Sequence, residues 1–275
     1  MNHKSDDRPN WAPESVDIDQ PSIARVYDYL LGGYHNLEID RKIADMSLQI
    51  YPDMALASQV SRAFLRRLVN YLLDQGITQF IDIGSGIPTL GHVHEIVQRR
   101  VPDYHVVYID IDPVSIAHSK AILQENPTTF VYQADARDPE NTLEHIRAET
   151  TLDLNKPVAV LFIALFHYIV DDSELRQLIV NYSSSMAPGS YVAFTHGTYE
   201  NAPPGVAEGL MNLSSRSRHQ MRYRSRDDLA SMFPEMEIVE PGIVPTPLWR
   251  PEGPEDLFID QPERSLGYAG VALLK

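Results

Sequence analysis

The chain contains no cysteine. Disulfides, thiolate metal sites and cysteine nucleophiles are therefore excluded. It also lacks any apolar run near the ~18 residues that a membrane-spanning helix needs. Its start, Met1 to Asn10, is polar and has no signal-peptide core. The expected location is the cytoplasm. Basic residues are scarce: 23 Lys and Arg against 38 Asp and Glu leave a net charge of −15. That balance opposes generic binding to nucleic acid or anionic membrane, because phosphate surfaces need clustered Lys or Arg. Gly and Pro number 14 and 20 in 275 residues, near ordinary usage, so no long low-complexity tract is expected. With 43% hydrophobic residues and a mean hydropathy of −0.25, the chain can bury a full core.

What is present is organised around Phe80 to Gly91, F-I-D-I-G-S-G-I-P-T-L-G. Phe80 to Ile83 reads as a short buried strand running into a glycine turn. Gly84 and Gly86 let the backbone turn with positive φ and let a ligand lie against it. A strand followed by Gly-x-Gly opens a nucleotide-binding α/β unit.

Residues 1 to about 20 read as a loose polar arm. Pro21 to Leu31 predicts a helix stopped by Gly32-Gly33, and Ile39 to Ile50 a second one. Val60, Phe64, Leu68 and Leu72 form the stripe of an amphipathic helix that Gly76 ends. Four further segments read as strands: His105 to Asp110, Phe130 to Gln133, Pro157 to Ala164, and Ser190 to Thr195. Helices are predicted over Gly91 to Arg100, from Asp112-Pro113 to Glu125, around Leu175 to Tyr182, and over Asp227 to Phe233. Glu237 to Val244 and Leu266 to Leu274 close the chain as strands. The alternation implies an α/β fold, with a mostly parallel seven-stranded sheet, helices on both faces and an antiparallel C-terminal edge hairpin.

In such a sheet, ligands bind beyond the carboxyl ends of the strands. Gly84-Ser85-Gly86 follows the first strand. Asp110 ends the second, where a carboxylate can accept both ribose hydroxyls of an adenosine. Asp135 ends the third, where it can meet an adenine amine or cap the turn to Pro139. Ala164 ends the fourth, and its small side chain leaves room for a ligand. Asp82 is either a structural carboxylate or a partner for a ligand ammonium, and Asp112 reads as a helix cap. A nicotinamide dinucleotide is disfavoured. Thr89 stands where that fingerprint requires its third glycine, and Asp82 stands where such folds place an apolar residue.

These residues resemble the class I S-adenosylmethionine-dependent methyltransferases. Asp82-Ile83-Gly84-Ser85-Gly86 is similar to their glycine-rich motif, Val106 to Asp110 to the acidic ribose strand, Asp135-Ala136 to the adenine contact, and Ile163 to Tyr168 to the fourth-strand motif. Pro88 departs from the pattern, where a further glycine is common. The segment Pro21 to Gly33, with Gly86 to Thr89, Val107 to Asp110 and Asp112-Pro113, narrows the resemblance to an actinobacterial S-adenosyl methyltransferase family of unknown function.

The resemblance implies a Rossmann-like fold and S-adenosyl-L-methionine as cofactor, with S-adenosyl-L-homocysteine as product. Ile111 beside Asp110, and Leu165 beside Ala164, join the implied cofactor site. Residues 1–56 would be an arm and helical lid, and 57–275 the cofactor-binding domain, with a substrate cover near 197–235. Arg25, Tyr29, Gly33 and Asn36 become candidates for the methionine end. Arg25 would hold its carboxylate, or else pair with a surface Asp or Glu. His167 is the candidate general base and His196 a weaker one; either is otherwise a hydrogen-bonded wall residue. Arg216, Arg218 and Arg222 are anion contacts or a solvated helix face. The acceptor is expected to be a small molecule. The alternatives are a cofactor-binding protein without catalysis, and less so a nicotinamide-dependent oxidoreductase.

Overall fold

The structure, a computed structural model, describes residues 17–87, 91–123, 126–200, 202–215 and 220–275. The expectations for the arm over 1–16 and for Pro88, Thr89, Glu125, Arg216 and Arg218 lie outside the described residues.

Three helices lead into the sheet: α1 (Ile23–Leu30), α2 (Glu38–Ile50) and α3 (Met54–Asp74). The turn after α1 needs Gly32, whose φ is +81°. Along α3, Val60, Phe64, Leu68 and Leu72 are all buried, as their spacing requires. The helix begins earlier than that stripe, at Met54.

The alternating unit follows. It comprises β1 (Gln79–Ile83), α4 (Val93–Val97), β2 (His105–Asp110), α5 (Pro113–Leu123), β3 (Thr129–Gln133), α6 (Pro139–Glu149), β4 (Ala159–Phe162), α7 (Asp172–Ser183) and β5 (Tyr191–Gly197). Then come α8 (Val206–Ser215), α9 (Arg226–Ala230), β6 (Met236–Ile238), β7 (Val244–Pro245) and β8 (Gly267–Leu274). The strand order is β3-β2-β1-β4-β5-β8-β6, with the short β7 also on β8. β1 to β5 are parallel, and β8 runs antiparallel between β5 and β6. The closing pair is the expected antiparallel edge hairpin, with β6 at the rim. It is shorter than expected, since β6 spans only Met236–Ile238.

Alternate residues of each central strand feed two cores. Ile81, Ile83, Val107, Ile109, Val160 and Phe162 face the layer that holds Leu143, Ile146, Leu175 and Leu178. Phe80, Val106, Tyr108, Ala159 and Leu161 face the layer that holds Phe64, Leu68, Val93 and Ile116. Asp82 shares the Phe80 face by this alternation, so it points to the α3 side of the sheet. Trp249 is fully buried in that same layer, against Phe64 and Tyr71. It is a core residue.

α1 packs on α2 and α3, and α2 on α8. Ile18 and Ala24 lie against Ile87 and Val114, at the mouth of β1 and the start of α5.

Candidate cofactor-binding site

The glycine turn is held to β2 by its own amides. Gly84 and Ser85 donate from N to the Ile109 carbonyl, at 2.8 and 3.2 Å. Gly84 and Gly86 have φ of +70° and +69°. A Cβ on Gly86 would meet nothing within 4 Å, so that side of the turn is open. A Cβ on Gly84 would lie 3.0 Å from the Leu165 side chain, which closes over the turn from the end of β4. The Ser85 hydroxyl is buried, with no partner among the described residues. It is a donor in want of an acceptor.

Asp110 accepts from the Gly86 amide at 2.7 Å and from the Asp112 amide at 2.8 Å. Burial pushes its carboxyl up to about 6, against these two amides. Each oxygen keeps a lone pair for a further donor. Asp112 caps α5, accepting from the Val114 amide at 2.7 Å, and it also accepts from the Ser22 hydroxyl. Ile111 is 59% exposed, an apolar surface next to Asp110. Asp135 stabilises its own turn: Arg137 donates to both carboxylate oxygens, with Nη2 at 2.6 Å, and holds the carboxyl below its usual range. Ala136 is half-buried, and its carbonyl accepts from the Tyr182 hydroxyl. Ala164 has φ of +57°, and its amide donates to the Thr195 hydroxyl at 2.8 Å. Asp82, Gly84, Ser85, Gly86, Asp110, Ile111, Ala164 and Leu165 thus gather around one turn.

Burial pushes the Asp82 carboxyl up to about 7; Arg62 on α3 opposes that shift and Asp110 adds to it. Nothing in the residue spacing along α3 singles out Arg62. Its Nε is buried, with no hydrogen-bond partner among the described residues, and its guanidinium lies 5.6 Å from the Tyr27 ring centroid. It lines a cavity of about 350 Å³ together with Gly32, Gly33, Tyr34, His35 and Gln59.

The four helical candidates divide. Gly33 lines this cavity. Arg25 does not reach it as expected: Nε donates to Asp40 at 2.7 Å and Nη2 to the Gln20 carbonyl at 2.5 Å. Its partner Asp40 is fully buried rather than on the surface, and also accepts from the Ser22 and Leu37 amides. Tyr29 donates to Asp45 on α2. Asn36 donates to Asp28 and to the Gly33 carbonyl. These three hold α1 to α2 and shape the Gly33 turn.

His167 and His196 are fixed by one residue. The Gly197 amide donates to His167 Nδ1 at 3.4 Å, and the Gly197 carbonyl accepts from His196 Nδ1 at 2.6 Å. His167 is therefore protonated on Nε2 and His196 on Nδ1. Arg224 completes the set, donating to His196 Nε2 at 3.2 Å and to Asp172 at 2.8 Å. Burial pushes both imidazoles down to about 3. Each imidazole is held in its neutral form, and burial lowers the basicity of His167, the candidate general base. Arg222 is exposed and pairs with Asp172.

A family model described as S-adenosyl methyltransferase matches residues 9–275. The chain belongs to that methyltransferase family. Among solved structures, a protein of Thermobifida fusca YX assigned as a methyltransferase is 36% identical, with a TM-score of 0.89, over 97% of this chain and 100% of its own. A DUF574 family protein from Streptomyces avermitilis is 32% identical, with a TM-score of 0.87, over 94% of this chain and 99% of its own. The CurJ carbon methyltransferase, 10% identical with a TM-score of 0.54, covers 90% of this chain and 66% of its own, and shares the fold alone. No curated protein matches the chain.

Proposed function

We propose that this protein transfers the methyl group of S-adenosyl-L-methionine to a small-molecule acceptor, leaving S-adenosyl-L-homocysteine. The observation that carries this reading is the turn itself. A buried unpartnered Ser85 hydroxyl, an open Gly86 and the Asp110 carboxylate converge at the carboxyl ends of β1 and β2. These groups fit an adenosyl cofactor. Asp110 takes the ribose hydroxyls, and Ile111 and Ala136 flank the adenine, with Asp135 at its amine. Gly84, Ser85 and Leu165 line the path to the sulfonium, and Asp82 faces the ammonium.

When bound, the cofactor supplies an electrophilic methyl on a sulfonium. The chain contributes binding, orientation and exclusion of water. α1 and α2 act as a lid: Ser22 reaches Asp112, and Ile18 and Ala24 cover Ile87 and Val114. The His35 and His118 rings, 3.9 Å apart, bring the loop after α1 onto α5. The acceptor enters beside His167, where Tyr168, Tyr199 and Tyr223 form an aromatic wall; Tyr199 and Tyr223 stack at 3.6 Å. α8 and α9 belong to the cover over that wall. His167, protonated on Nε2, orients the acceptor as a donor. The chain therefore favours acceptors whose nucleophile needs no strong base.

A crystal grown with S-adenosyl-L-homocysteine tests the placement. The expected result is ribose hydroxyls within hydrogen-bond distance of Asp110 and the thioether beside Leu165. Ligand density away from the Gly84–Gly86 turn would overturn it.

A further inference from the structure

A second cavity, of about 330 Å³, lies beyond the carboxyl end of β5, beside the first residues of β8. Its lining shares no residue with the glycine turn or with the Arg62 cavity. Pro245 and Pro262 give it apolar walls, and the Tyr268 ring adds a third. Its volume suits a small molecule.

The donors of this lining are nearly all spent. The Tyr268 hydroxyl donates to Glu200 Oε2, and burial pushes the phenol up to about 12, so it keeps its proton. Ser265 Oγ donates to the Pro262 carbonyl at 2.7 Å. The Thr198 amide donates to the Leu266 carbonyl at 2.9 Å, and the Glu200 amide to the Thr198 hydroxyl at 3.1 Å. The two prolines have no amide proton to give. Acceptors are left over: Glu200 keeps its second carboxylate oxygen, and the exposed Glu263 has no ion-pair partner among the described residues. The nearby cations turn elsewhere, Arg264 to Asp53 and Gln261 at 2.8 Å, and Arg226 to Asp227 at 4.0 Å. One donor remains inside. Thr198 is 5% exposed, and its hydroxyl proton has no acceptor among the described residues. No Lys, Arg or His lines the cavity, so an anion finds no partner there. An ammonium on an apolar body does.

We propose that this cavity binds a small-molecule amine that also carries an oxygen, with Glu200 and Glu263 taking its ammonium and Thr198 donating to its oxygen. The ammonium's protons meet the carboxylate oxygens that the fold leaves free. The apolar body lies against the prolines and the Tyr268 ring. The site is distinct from the glycine turn. It adjoins the aromatic wall through Tyr199, which stands in the chain between Thr198 and Glu200 and stacks on Tyr223.

The test is calorimetric titration with three probes that share one aromatic body. Tyramine carries an ammonium, 4-ethylphenol carries no charge, and 3-(4-hydroxyphenyl)propionate carries a carboxylate. Wild type is expected to bind tyramine at millimolar concentration and neither of the others. Glu263→Gln and Glu200→Gln should each weaken tyramine by about 3- to 10-fold, the size of effect that a partly exposed charge contributes. S-adenosyl-L-homocysteine affinity, measured in parallel, should stay at the wild-type value in both. Thermal unfolding checks Glu200→Gln, which alters the bond to Tyr268; Glu263→Gln removes no hydrogen bond or ion pair among the described residues. No tyramine binding, equal binding of all three probes, or undiminished tyramine affinity in Glu263→Gln would each overturn the proposal. Because the cofactor titration is read separately, such a failure leaves the methyltransferase reading standing.

Discussion

The Gly86 amide donates to the Asp110 carboxylate across 2.7 Å, tying the end of β2 to the glycine turn that ends β1. The same carboxylate accepts from the Asp112 amide, so one side chain positions the turn and the start of α5 together. A ribose accepted by Asp110 would therefore meet a carboxylate already fixed in direction.

Asp110→Asn keeps one acceptor oxygen for these amides but loses the charge that a diol prefers. Its affinity for S-adenosyl-L-homocysteine should fall by roughly 10- to 100-fold, read by calorimetry. Asp110→Ala should show the same loss and, by orphaning two buried amides, lower unfolding stability by about 1–3 kcal/mol. Undiminished affinity in a folded Asp110→Asn would contradict the ribose assignment.

Asp82 predicts a pH dependence. Burial raises its folded pKa to about 7, well above the ordinary carboxylate range. Protonation therefore favours the free folded chain: this group's stabilising contribution is full below about pH 4 and is lost as pH rises through about 7. Binding a ligand ammonium needs the ionised form. Affinity for S-adenosyl-L-methionine should climb between about pH 6 and about pH 8, then level off. Asp82→Asn should bind more weakly, with a flat profile over that range. A wild-type profile already flat there would rule Asp82 out as the cation partner.

Gly33 is constrained by space. A Cβ there would lie 2.0 Å from Asp28 Oδ1, in a buried carboxylate that also accepts from the His35 amide and from Asn36. Gly33→Ala must displace that carboxylate, at a cost of about 1–3 kcal/mol to the α1–α2 unit. Faster amide exchange confined to 23–50, with the sheet unaffected, is the expected reading. Unchanged protection in α1 and α2 would show that the turn is looser than it looks.

Much of this was legible in the sequence because it is local. The strand Phe80–Ile83, its glycines, Asp110 and Ala164 lie within short stretches whose pattern fixes both structure and place. α6 was not. Its Asp138-Pro139 start repeats the pattern of Asp112-Pro113, but the helix buries only Thr142, Leu143 and Ile146, too faint a stripe to see. Arg25 and Arg62 show the harder limit. Both are arginines on helices near the site, and spacing cannot tell that Arg25 meets Asp40 across the α1–α2 packing while Arg62 faces a cavity. His167 sits where a base belongs, yet its burial and the Gly197 amide, both tertiary facts, make it a neutral donor.

The central claim is an adenosyl-sulfonium cofactor on the Gly84–Gly86 turn. Calorimetric titration of the purified protein with S-adenosyl-L-methionine, S-adenosyl-L-homocysteine and NAD tests it most directly. The account predicts binding of the first two and none of NAD, with both affinities reduced in Asp110→Asn. Binding of NAD alone, or of none of the three, would contradict it.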